Sequence, residues 1–242
     1  MPRTPARVDV SKYPEALAHR VAGWITELAV EVRGRFSIGL SGGSTPCRLY
    51  QLLAENPFRD RLPWDRIHWF WGDERFVPWD HPDSNYGMAS AAMLARSPAP
   101  VANIHGVVTN AGTPADAARS YERTLQSHYG SAALDPERPL FDVQLLGLGE
   151  DGHTASLIPG TSALGEKTRW AVEVIGARPE PRITLTYPVL DSCRHVAFLV
   201  AGADKREILA RALSGDQALP AARVSPIGEL TWFVDEAARP KP

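Results

Sequence analysis

The stretch FDVQLLGLGEDGHTAS, residues 141–156, decides the fold. Its first half is an apolar run that reads as a buried strand, with strand character expected over 141–148. Its second half is a glycine turn at the end of that strand. Such a turn lets the backbone approach a ligand closely. It delivers two carboxylates, Glu150 and Asp151, and an imidazole, His153. Histidine is the side chain best suited to move protons near neutral pH. The turn therefore offers catalysis as well as binding.

The same turn imitates a dinucleotide fingerprint. Gly147, Gly149 and Gly152 satisfy G-x-G-x-x-G, and Glu173 lies where a ribose-binding acid is expected. Two features argue against a nicotinamide enzyme. Glu150 and Asp151 put negative charge where a pyrophosphate would rest, and Pro159-Gly160 interrupts the segment too soon for a long helix.

Working outward, strands are expected over 35–40, 67–71, 170–175, 196–201 and 230–234. Helices are expected over 14–32, 47–54, 83–94, 114–129 and 203–213. The segments 96–102 and 134–139 read as surface loops. Strands alternating with helices imply a mostly parallel sheet covered on both faces. The expected organisation is one domain over 1–242, with a core from about 10 to 235. There is no internal repeat.

Composition narrows the function classes. Hydrophobic residues make up 44% of the 242, enough for a full core. A net charge of −2 gives no global reason to expect nucleic acid or an anionic membrane as partner. Cys47 and Cys193 are too few for a disulfide framework, which fits a reducing cytoplasm. The N-terminus has no apolar signal core, and no run approaches a membrane span. The oligomeric state is not legible; a monomer is consistent with the sequence.

Four segments carry candidate site residues. Ser41, Gly42, Gly43, Ser44 and Thr45 form a small-residue turn from strand into helix, a place for an anion. It is not a Walker motif, since the lysine is absent. Thr45 is expected to cap the helix and Pro46 to occupy its first position. Asp73 and Arg75 close the next strand, at the carboxyl end where open α/β sheets bind ligands. Asp83 and Ser84 read as helix caps. Arg182 and Lys205 can reach a phosphate as fork and point charge. Cys47 lacks a histidine partner and reads as a packed residue. His19, His68, His81, His105, His128 and His195 show no metal-ligand spacing, so no metal site is expected.

Taken in order, GLSGGSTP (39–46), WGDERFVP (71–78) with DSN (83–85), LGLGEDGHTAS (146–156), RITLT (182–186) and GADK (202–205) resemble the 6-phosphogluconolactonase family. The wider group includes glucosamine-6-phosphate deaminase. The resemblance covers most of the chain. It implies a three-layer α/β/α fold of Rossmann-like type. It implies hydrolysis of 6-phospho-D-glucono-1,5-lactone in the oxidative pentose phosphate pathway, with a small-molecule substrate and no cofactor or metal. It also implies that the 41–45 turn, Arg182 and Lys205 hold the phosphate and that His153 activates water. Asp73 or Asp151 would orient the imidazole. Arg75 or backbone N–H groups of the 147–152 turn would stabilise the oxyanion.

Two alternatives share these anchors. In the deaminases the glycine–histidine turn continues into Asn-Glu-Pro, whose glutamate assists the histidine. Here the turn continues TASLIP (154–159), the lactonase pattern, and that glutamate is missing. A non-catalytic sugar-phosphate sensor would not need His153, and no DNA-binding helix-turn-helix segment is read ahead of the domain.

Overall fold

The computed structural model describes residues 6–241. In chain order the strands are β1 (Arg7–Ser11), β2 (Phe36–Leu40), β3 (Ile67–Trp71), β4 (Asp73–Arg75), β5 (Phe141–Leu146), β6 (Ala171–Val174), β7 (Arg182–Leu185), β8 (Cys193–Val200) and β9 (Glu229–Asp235). The α-helices are α1 (Pro14–Glu31), α2 (Ser44–Leu53), α3 (Phe58–Arg61), α4 (Asn85–Ala92), α5 (Pro114–Tyr129), α6 (Tyr187–Asp191), α7 (Arg206–Leu213) and α8 (Pro220–Arg223).

Six strands form one parallel sheet in the order β1-β9-β8-β5-β2-β3. Every residue of β2 is buried, as are nearly all of β3 and β5. Strands buried on both faces need helices on both faces, which is why their sequences run apolar instead of alternating. The expected α/β architecture is present. α1 shows the complementary rule: Leu17, Ala18, Val21, Ala22, Ile25 and Ala29 lie on its buried stripe and have no exposed surface.

Three differences from the sequence reading matter. The expected strand around 170–175 does not join the main sheet. As β6 it pairs antiparallel with β7, which pairs antiparallel with β4, in a separate three-stranded sheet. β4 and β7 are short and polar, so hydrophobic periodicity does not mark them. β1 lies in a segment read only for a signal sequence, and it extends the sheet by pairing with β9. Finally, α2 begins at Ser44, not Cys47. Its N-cap is Gly43, at φ 109°, and no side chain caps it. Thr45 is thus a first-turn residue, and its hydroxyl is not spent on capping.

The chain leaves β2 toward β3 on one side, while β5 leads to β8, β9 and β1 on the other. The direction of winding therefore reverses between β2 and β5, and a crevice opens at their carboxyl ends. The 41–45 and 147–153 turns leave those two strands side by side.

Glu74 fixes the third wall of this crevice. It is fully buried between β4 and α4. Its Oε1 accepts from the backbone N–H groups of Arg75 and Asn85, both at 2.7 Å. Its Oε2 accepts from Tyr86 N at 2.7 Å and Ser84 Oγ at 3.2 Å. Burial pushes the carboxyl up, against the pull of these three N–H donors. Ser84 itself caps α4, its Oγ accepting from Gly87 N at 3.0 Å, as expected. Glu74→Gln sets an amide N–H₂ against donors and leaves buried N–H groups unpaired. It should cost about 1–3 kcal/mol, read as a lower urea midpoint. An unchanged midpoint would show that this carboxylate does not hold β4 to α4.

Candidate active site

The crevice has two lobes that share a floor of Gly42, Gly43, Gly147 and Leu148. The first, of ≈ 190 Å³, is lined by Asp73, Arg75, His153 and Arg182. The second, of ≈ 360 Å³, is lined by Ser44, Thr45, Asp204 and Lys205. All the residues given catalytic or substrate-binding roles from the sequence, except Asp151, line one lobe or the other. Ser41 lines the first. Arg182 and Lys205, grouped by sequence as anchors of one phosphate, stand in different lobes and could meet only over the shared floor.

His153 is held from three sides. Its Nδ1 lies 2.5 Å from Asp151 Oδ1, and its backbone N–H donates to the same oxygen at 3.1 Å. Its carbonyl accepts from Gly149 N at 2.9 Å. The ring occupies the space beside Gly149, where an added Cβ would stand 2.0 Å from Nδ1. That glycine is needed because the imidazole lies where a side chain would begin. With Nδ1–H donated to a carboxylate, Nε2 carries the lone pair.

Asp151 is itself fixed. Its Oδ2 accepts from Arg178 at 2.7 Å. Burial alone would raise its carboxyl, but the Arg178 guanidinium and the bonds to His153 outweigh it and hold Asp151 at about 2. It stays ionised throughout the imidazole range. Arg178 went unseen in the sequence, because it sits in the connection from β6 to β7, 27 residues away, with no motif to mark it.

Of the two acids considered for orienting His153, the contact belongs to Asp151. Asp73 is turned elsewhere: its Oδ2 accepts from Ser156 Oγ at 2.7 Å and its Oδ1 from Asn85 Nδ2 at 3.4 Å. It remains on the wall of the His153 lobe as a buried acid.

Two of the backbone groups offered for the oxyanion are already engaged: in the 147–152 turn, Gly149 N donates to His153 O and Gly152 N to Gly149 O. Arg75 faces the lobe. It sits opposite Arg182 in the β4–β7 ladder. The Nε atoms of both arginines are buried and without a hydrogen-bond partner among the described residues. Burial, and then the neighbouring Arg75 charge, lower the affinity of Arg182 for its proton. Two like charges side by side with spare donors form an anion site.

In the second lobe, α2 presents its N-terminal backbone N–H groups, which a helix leaves without internal partners. Lys205 reaches it from a 3-10 turn after β8. Its nearest carboxylates are Asp204 at 3.7 Å and the largely exposed Glu150 at 3.9 Å. The dinucleotide reading finds no support here. The 147–152 turn leads into a Thr154–Leu157 bridge instead of a helix, and Glu173 pairs with Arg169 in the small sheet.

The family described as glucosamine-6-phosphate isomerases/6-phosphogluconolactonase matches residues 12–232. A 6-phosphogluconolactonase of Nostoc is 47% identical over 215 residues, covering 88% of this chain and 87% of that protein. One from Synechocystis is 43% identical and covers 96% of each. Among solved structures, 6-phosphogluconolactonase from Thermotoga maritima superposes with a TM-score of 0.80 at 31% identity, over 96% of this chain and 100% of that one. A monomeric glucosamine-6-phosphate deaminase shares the fold at 22% identity, with a TM-score of 0.79 over 96% of this chain and 98% of that one. With its strand-end turns, paired arginines and carboxylate-bound histidine in this order, the chain belongs to the glucosamine-6-phosphate isomerase/6-phosphogluconolactonase family.

Proposed function

We propose that this chain hydrolyses 6-phospho-D-glucono-1,5-lactone to 6-phosphogluconate, the ring-opening step of the oxidative pentose phosphate pathway, in the cytoplasm. The observation that carries the mechanism is the Arg178–Asp151–His153 chain, which leaves one imidazole nitrogen free beside a cationic lobe. Asp151 fixes the tautomer, and Arg178 fixes Asp151. His153 Nε2 takes a proton from water as the water oxygen attacks the lactone carbonyl. The resulting oxyanion is stabilised by Arg75. Collapse breaks the bond to the ring oxygen, which receives the proton back from His153. The products are a hydroxyl and a carboxylic acid, which ionises and releases one proton to solvent.

The phosphate rests on the 42–45 turn and the N-terminus of α2. Lys205 reaches it from one lobe, and Arg182 turns toward it from the other. Binding energy at this remote end holds the carbonyl in place for attack.

The reading is tested with lactone generated freshly from glucose 6-phosphate, following acid release. His153→Ala should lower kcat by about 10²–10⁴. Whatever part of the native pH profile comes from His153 should be absent from the variant. Near-normal kcat in the variant would refute the role of His153. Ammonia release from glucosamine 6-phosphate at a rate comparable to lactone hydrolysis would move the chain to the deaminase branch.

Gly149→Ala should mimic the loss of His153 without removing it, since the new Cβ displaces the ring. A kcat reduced by about 10² or more at an unchanged urea midpoint is expected for a catalytic group moved by an ångström. Full activity would mean that the ring can sit elsewhere.

Anchor and oxyanion roles divide between KM and kcat. Lys205→Ala should weaken kcat/KM by about 2–5 kcal/mol, mostly through KM. Arg75→Ala should act mostly on kcat. Unphosphorylated gluconolactone should be a much poorer substrate, and equal turnover of both lactones would exclude the phosphate site.

A further inference from the structure

The fold assembles three histidines that the sequence scatters. His68 is the second residue of β3, His105 follows a 3-10 turn, and His128 is in the last turn of α5. Their spacing in the chain carries no metal pattern, so the sequence reading set them aside. Two tertiary features bring them together. His105 N donates to Trp69 O at 2.8 Å, which lays its segment along β3. Ser37, the register partner of His68 in β2, has its Oγ 2.8 Å from His128 Nε2.

One ligand nitrogen from each ring lies within 4.8 Å of the others. His68 Nδ1 and His105 Nε2 are 3.0 Å apart, with their rings stacked at 5.3 Å. The His68 and His128 centroids are 4.8 Å apart. All three side chains are half-buried, so an ion can reach them. Burial pushes all three below the ordinary imidazole range, His105 to about 4 and His128 to about 3. The rings are therefore neutral at pH 7 and keep their lone pairs.

We propose that His68, His105 and His128 form a three-imidazole site for a divalent late transition ion of the Zn²⁺ type. Imidazole is a ligand such ions prefer. Zn–N bonds of about 2.0–2.1 Å place tetrahedral ligand nitrogens roughly 3.4 Å apart. The His68–His105 pair needs to open by a few tenths of an ångström, and His128 needs to swing in. One proton now bridges His68 Nδ1 and His105 Nε2. On binding, the donor ring shifts that proton to its other nitrogen, so both rings stay neutral. The fourth position falls to water or the Ser37 hydroxyl. The Arg35 charge, which also disfavours protonation of His68 and His128, opposes the ion and limits its affinity.

The site is distinct from the crevice. His68 lies near the amino end of β3, and Gly72 follows its carboxyl end, about 13 Å away by strand rise. The ion would brace β2, β3, α5 and the 105 segment, and take no part in hydrolysis.

The test is titration of chelator-treated protein with Zn²⁺ alone, by calorimetry and by thermal unfolding. The native chain and His153→Ala should each bind one ion per chain, with Tm rising as free Zn²⁺ rises. His128→Gln and His105→Gln, each checked for native circular dichroism, should bind at least about tenfold more weakly while lactone hydrolysis persists. Co²⁺ should give visible bands of tetrahedral type that vanish in both variants. Absence of stoichiometric binding would overturn the site. So would binding lost in His153→Ala and retained in the cluster variants.

Discussion

Two buried tyrosine hydroxyls hold the ends of two neighbouring strands, and the active crevice depends on them. Tyr50, on α2, accepts from Ser41 N at 2.9 Å and donates to Ser41 O at 2.8 Å. Tyr121, on α5, does the same with Trp71 N and O, at 2.7 and 2.8 Å. At these points β2 and β3 leave the ladder and their backbone groups lose sheet partners. An unpaired buried backbone group is costly, and one hydroxyl satisfies both members of a pair. Burial pushes both phenols above their ordinary range, so they remain protonated and able to donate. The turns that follow, Gly42–Gly43 and Gly72–Asp73, thereby start from fixed points.

On that rigid base the crevice carries an imbalance of charge. Arg75 and Arg182 face each other across the β4–β7 ladder, where like charges repel. Asp73 shares the lobe with them, but its oxygens are tied to Ser156 and Asn85. Arg75 donates one Nη–H to Asp83 O and Arg182 reaches Glu180 only at 4.0 Å, so the buried Nε of each cation is left unspent. Such an arrangement weakens the free protein locally and is relieved when an anion enters. In the proposed hydrolysis that relief is shared: the oxyanion takes up Arg75 and the phosphate takes up Arg182.

What was legible in the sequence follows from where information is local. The parallel core was legible because β2, β3 and β5 are mostly apolar and a glycine follows each within two residues. His153 and Asp151 were legible because turn and base share one short segment. The small antiparallel sheet was not, since β4 has three residues and β7 four, too few for a period to show, and nothing local sets β6 apart from the main sheet. The choice between Asp151 and Asp73 was open because both lie next to strand ends. The Asp151–His153 contact and the bond to Asp73 from Ser156, 83 residues later, separate them. Arg178 and the histidine cluster were invisible for the same reason: their partners are tertiary and no spacing encodes them.

The segment after His153 shows how one fold runs single-base chemistry. A deaminase must shift a proton between adjacent carbons, which calls for a second titratable group beside the histidine. Here the corresponding positions are Ser156, Leu157 and Ile158, all buried. Ser156 spends its hydroxyl on Asp73, and Leu157 and Ile158 pack into the core. None can titrate near neutral pH. The one carboxylate bound to the imidazole, Asp151, is held ionised by Arg178 and the bonds to His153. A site with one mobile proton can activate water against an ester carbonyl that is already electrophilic, and can return that proton to the leaving oxygen. The acid that lines the lobe, Asp73, is bonded to Ser156 and Asn85 and does not touch the imidazole. With Ser156 and Asn85 on Asp73 and Arg178 on Asp151, the proposed hydrolysis asks this crevice for one mobile proton, the one on His153.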